Sequence, residues 1–221
     1  MNETAAREAR AQRIYRAFVM FYILFNIVLL VIYIMKRDSY HLSVTLGTFA
    51  IPLALMLIWK IPVLHRVYQL DILILGFTFL AYPLGSCLDL YLLIPGFDKV
   101  AHTLSGTFTA QLALILYYAL KPGHRIERKD TALALTYMFF ASVAVAGMWE
   151  IGEFLLSGIM GRDLQRVELT GVTDSMMDMI VCTIGTLILI PIVIKLCRGK
   201  SGLITNTIRD TIALNFPGSQ D

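Results

Sequence analysis

Apolar runs about as long as a membrane is thick recur six times along this 221-residue chain, and no other feature constrains its fold as tightly. A helix needs ~20 apolar residues to cross a hydrocarbon core, and with no water there it must satisfy its own backbone hydrogen bonds. The runs cover approximately residues 17–35, 42–59, 71–90, 102–120, 131–156 and 174–196. Only 16% of the chain is charged, against about 25% in soluble domains, and those residues gather between the runs. The expected fold is therefore all-α, a polytopic membrane helical bundle of about six transmembrane helices. It forms a single transmembrane domain over 1–200 followed by a cytoplasmic tail, 201–221. In that tail Leu203, Ile204, Ile208, Ile212 and Leu214 interleave with polar residues, which predicts an amphipathic helix at the interface. The third run is interrupted by Tyr82-Pro83 and Gly85-Ser86, and a kink or unwinding is expected there.

Basic residues set the expected orientation. Arg7, Arg10, Arg13, Arg16, Lys60, Arg66, Lys121, Arg125, Arg128, Lys129, Lys195, Arg198, Lys200 and Arg209 fall on one side of the six spans, 14 of the 19 Lys and Arg. Lys36, Arg37, Lys99, Arg162 and Arg166 fall on the other. The positive-inside rule then puts both termini of a multi-pass membrane protein in the cytoplasm. The net charge of +3 follows from this topology and calls for no nucleic-acid partner. Cys87, Cys182 and Cys197 lack the spacing of a disulfide framework or a zinc knuckle. The long first run has no small-x-small cleavage site after it, so a cleaved signal peptide is not expected.

Ionisable residues inside the spans collect toward the extracytoplasmic side. Asp98 and His102 open the fourth run, Glu150 and Glu153 close the fifth, Asp174 and Asp178 open the sixth, and Asp89 ends the third. Residues three or four apart share a helix face, so Asp98-x3-His102, Glu150-x2-Glu153 and Asp174-x3-Asp178 each present a pair. If the three helices are neighbours, the pairs form a cup of five carboxylates and one imidazole. That much negative charge in a low dielectric requires protonation, cationic partners or a metal. Lys99, Arg162 and Arg166 lie on the same side and are available as partners. A divalent ion would answer the charge as well: Mg, Mn or Fe suits such an oxygen-rich set with one histidine, and so can Zn. Asp98 and Asp174 serve equally well as first-turn acids of their helices. His41, His65 and His124 fall in connecting segments and are expected to be solvated.

The combination of Asp98-Lys99-Val100-Ala101-His102 with Gly106, Trp149-Glu150-Ile151-Gly152-Glu153-Phe154, and Gly171-Val172-Thr173-Asp174-Ser175-Met176-Met177-Asp178 with Gly185 resembles the YjdF-like bacterial inner-membrane proteins. It is similar, more distantly, to the VanZ-like membrane proteins. The resemblance covers about residues 88–187 and supports the choice of residues more than any reaction. The element rich in glutamine and arginine of VanZ-like proteins is matched only loosely, by Arg162, Gln165 and Arg166.

The leading expectation is a metal-dependent membrane hydrolase or transferase acting on a lipid or lipid-linked phosphate, with membrane lipids as its surroundings. Asp98, His102, Glu150, Asp174 and Asp178 are the expected metal ligands. Glu153, Glu150 and Asp178 are the expected catalytic groups, with Glu153 as general acid or base. Arg162, Arg166 and Asp89 are the expected substrate contacts. Two rivals remain at this point: a proton- or cation-coupled transporter, and a non-catalytic metal-stabilised scaffold. No inverted repeat favours the transporter.

Overall fold

The computed structural model describes residues 3–165 and 167–216, and among these every regular element is helical. Six helical stretches are long and apolar enough to cross a membrane: Glu3–Lys36, Ser39–Ile58, Tyr68–Cys87, Phe97–Leu120, Arg128–Met160 and Thr173–Cys197. The described residues form two compact units. One runs to Phe97 and is joined by the end of the C-terminal helix, and the other runs from Asp98 to Ile212.

The first unit holds α1 (Glu3–Lys36), α2 (Ser39–Thr48), α3 (Ala50–Ile58), α4 (Tyr68–Phe79), a π-helical stretch (Leu80–Cys87) and the short α5 (Leu90–Leu93). The second crossing breaks into α2 and α3 at Phe49, and Pro52 explains the break. Proline has no N–H to offer the carbonyl four residues back, that of Thr48. The Tyr22 hydroxyl of α1 donates to that carbonyl instead, at 3.2 Å, while Thr48 Oγ1 donates to Asn26 Oδ1 at 2.8 Å. These polar groups are fully buried, and pairing them across helices keeps the break affordable in an apolar setting.

The interruption expected near Pro83 is a widening of the helix. Leu88 N–H reaches the Pro83 carbonyl five residues back, at 3.2 Å, and the loop beyond turns through a left-handed Asp89 (φ 57°). Gly85 lets the Tyr91 ring lie against the π-helix, in space that any side chain there would fill. Phe79 anchors this stretch to α1 among the rings of Phe18, Phe21, Tyr22 and Phe25. At the other end of the unit, Asp71 is fully buried. It accepts from Trp59 Nε1 and from Arg66 Nε, both at 2.7 Å, and the Arg66 guanidinium lies over the rings of Tyr15 and Tyr68.

The second unit holds α6 (Phe97–Leu120), a single 3-10 turn (Arg128–Asp130), α7 (Thr131–Met160), α8 (Val167–Thr170), α9 (Thr173–Ile188), α10 (Ile190–Cys197) and α11 (Leu203–Asn215). Pro191 again accounts for a break, between α9 and α10. α6 and α9 meet backbone to backbone through two glycines. A Cβ on Gly106 would collide with the Cys182 carbonyl, and one on Gly185 with the Thr103 carbonyl. Hydroxyls seal the contact: Thr107 donates to Gly185 O at 3.1 Å, and Ser142 of α7 lies 2.7 Å from both Thr109 and Thr186. This close approach fixes the register of the three helices one turn from the charged residues above it. In α11, Ile208 and Ile212 are buried, and Arg209 donates to the Leu196 carbonyl at 2.8 Å.

Candidate functional site

The first turns of α6 and α9 point their acids at one another, and a lysine sits between them. Lys99 Nζ lies 2.7 Å from Asp174 Oδ1, 2.7 Å from Asp178 Oδ1 and 3.0 Å from Asp98 Oδ2. On the next turn of α6, His102 Nε2 lies 3.4 Å from Asp98 Oδ1 and 3.8 Å from Asp178 Oδ1. Asp98, His102 and Asp178 therefore offer three ligand atoms within 4.8 Å of one another. The Asp178 side chain is only 6% exposed, and His102 and Asp98 are largely buried too.

This spacing suits a small divalent ion. Ligand atoms at about 2.1 Å from an octahedral ion stand roughly 3 to 4 Å apart, so His102 already lies at ligand spacing from both carboxylates. Charge points the same way. Three aspartates converge beside one ammonium, and a dication would be attracted to their carboxylates.

Four of the residues expected from sequence, Asp98, His102, Asp174 and Asp178, are thus brought together. Glu150 is buried on α7, where its side chain and its backbone carbonyl both accept from Gln165 Nε2, at 3.2 and 3.0 Å. Glu153 accepts from Trp149 Nε1 at 2.9 Å, near enough to His102 and Asp178 for their charges to interact. Arg162 follows the end of α7, its N–H donating to the Ser157 carbonyl at 3.3 Å. Arg166 lies outside the described residues. Asp89 belongs to the first unit, where it pairs with His41.

Two features escaped the sequence reading. Lys99 was one cation among three candidates, yet it holds the centre of the aspartates; its place directly after Asp98 was the available signal. Gln165 lies in a loop where no periodicity fixes the direction of a side chain. His41 also differs from expectation, since its ring is only 15% exposed and is paired on both sides.

A family model described as "Predicted membrane protein (DUF2238)" matches residues 16–198, and the YjdF-like resemblance is to this family. No curated protein and no solved structure matches the chain.

Proposed function

The chain belongs to the DUF2238 family of predicted membrane proteins, and on that premise we propose that Asp98, His102 and Asp178 bind a divalent cation that acts on a lipid-linked phosphate. The observation that carries this reading is the convergence of three ligand atoms within 4.8 Å, on helix ends where three carboxylates meet beside Lys99. In this reading the protein sits in the bacterial inner membrane with the site at the extracytoplasmic end of the bundle. The distribution of basic residues supports that orientation. The distant likeness of the motifs to VanZ-like proteins is part of the same proposal.

The bound cation would polarise a phosphate oxygen and lower the pKa of a water or hydroxyl nucleophile. Glu153 would take the proton as the nucleophile's oxygen bonds to phosphorus and return it to the leaving group's oxygen as that oxygen's bond to phosphorus breaks. Arg162, and Arg166 with it, would contact the anion, because a guanidinium matches a phosphate with two parallel hydrogen bonds. Glu150, held by Gln165, and Asp174, held by Lys99, would support the centre electrostatically.

The test is turnover of a panel of phosphatidate, lipid diphosphate and lipid phosphodiester vesicles by the protein in nanodiscs, with and without Mg, Mn or Zn. The proposal predicts metal-dependent release of phosphate or headgroup that falls by roughly a hundredfold or more in Asp178→Asn. Cation binding with no turnover on any member of the panel would instead favour the scaffold.

A further inference from the structure

In the first unit, away from the residues proposed to bind the cation, His41 is held by two carboxylates from opposite sides. Its Nδ1 lies 2.6 Å from Asp38 Oδ2, and its Nε2 lies 3.0 and 3.1 Å from the two oxygens of Asp89. A carboxylate only accepts hydrogen bonds when ionised, so both contacts are attractive only if both ring nitrogens carry protons. The opposed nitrogens also exclude chelation of one ion by all three residues. The remaining neighbours suit a charged ring: Tyr33 stacks on it (centroids 4.9 Å apart, planes at 19°) and Tyr40 meets it edge-on at 5.1 Å. Lys36 Nζ lies over the Tyr33 ring, 5.9 Å from its centroid.

We propose that His41 is a pH-sensitive clasp, closed when the ring is doubly protonated, that fastens the end of the π-helix and α5 to the α1–α2 connection. Asp89 is what the clasp holds. Its left-handed backbone is unusual for a residue other than glycine, and its carbonyl accepts from Leu92 and Leu93 N–H at 2.8 and 2.9 Å, so it starts α5. The Tyr91 ring, against Gly85 and edge-on to Phe97 at 5.4 Å, is a second anchor, but none of the helix's residues is buried, and Leu92 and Leu93 are 74% and 70% exposed. When the ring loses one proton, one contact becomes a lone pair facing a carboxylate. Asp38 is the closer partner and also accepts from the His41 backbone N–H at 3.1 Å, so Asp89 is the partner released. At the acid end, that backbone N–H and then the ring hold Asp38 below the usual carboxylate range. The Asp38 half of the clasp is therefore present above the ordinary aspartate range and is lost only as pH falls through the lowered value.

The test is a titration of protein carrying 15N-labelled histidine in nanodiscs, from about pH 5 to about pH 9, with the His41 signal among four histidines assigned by its loss in His41→Gln. We expect both His41 nitrogens to be protonated near neutral pH. Hydrogen exchange of the amides of residues 88–94 should rise severalfold, beyond its intrinsic pH dependence, as the ring titrates. Asp89→Gly, which suits the left-handed backbone but removes the acceptor, should show the raised exchange at every pH. A single neutral tautomer for the assigned His41 ring at neutral pH in the wild type would overturn the proposal. So would segment exchange that ignores the ring's titration.

Discussion

Replacing Gly106 by alanine would put a methyl group on the Cys182 carbonyl, and because that obstacle is backbone, only a shift of α6 against α9 by about 1 to 2 Å relieves it. Overpacking of this kind costs about 1–3 kcal/mol. The shift also stretches hydroxyl bonds that close the seam: Ser142 to Gly106 O at 3.3 Å, Thr186 to Gly106 O at 3.4 Å and Thr107 to Gly185 O at 3.1 Å. At about 0.6 kcal/mol each inside a membrane protein, their loss adds about 2 kcal/mol, while alanine returns about 1 kcal/mol of helix propensity. The net expectation is a loss of about 2–4 kcal/mol. Gly152→Ala is the control, because a Cβ there meets nothing within 4 Å. Reversible unfolding in mixed micelles measures both variants, and calorimetric titration with Mn measures the site, since the same displacement pulls Lys99 and Asp98 from Asp178. Gly106→Ala as stable as Gly152→Ala, with unchanged cation affinity, would refute the claim that this glycine contact sets the register of the site.

Lys99→Met removes the cation that shares Asp98 and Asp178 with the proposed ion, so divalent-ion affinity should rise by about tenfold or more, about 1.4 kcal/mol. Calorimetry of the purified variant reads this directly, and weaker binding would mean that Lys99 organises the ligands. Arg66→Leu leaves the fully buried Asp71 carboxylate without its ionic partner and should cost about 3–5 kcal/mol of stability. Adding Asp71→Leu should recover most of that loss in the same unfolding assay; a double variant as unstable as the single one would contradict the pairing.

The helical crossings were legible because each is an apolar run bounded by charge, and the pairs Asp98/His102 and Asp174/Asp178 because each spacing is one helical turn. An interruption at Pro83 was readable from the proline and glycine together, but its form, a π-helical widening rather than a kink or unwinding, was not. The break at Phe49 was not foreseen, since it depends on Tyr22 replacing the missing donor from another helix. Long-range pairing hid the rest. His41 takes Asp38 from its own turn but Asp89 from 48 positions away, and no local rule joins those two. Glu150 turns to Gln165 for a related reason, because the direction of a loop side chain follows from tertiary packing. The place of Lys99 depended on which of several nearby cations reached the aspartates first, which spacing alone does not rank.

The central claim is that Asp98, His102 and Asp178 hold a divalent ion, and metal content tests it most directly. Protein purified in detergent, loaded with Mg, Mn, Fe or Zn and desalted, would be measured by inductively coupled plasma mass spectrometry beside Asp178→Asn and His102→Asn. The account predicts about one ion per chain in the wild type and a loss in both variants while their helix content is unchanged. A folded wild-type protein that retains no ion under any loading condition would contradict it.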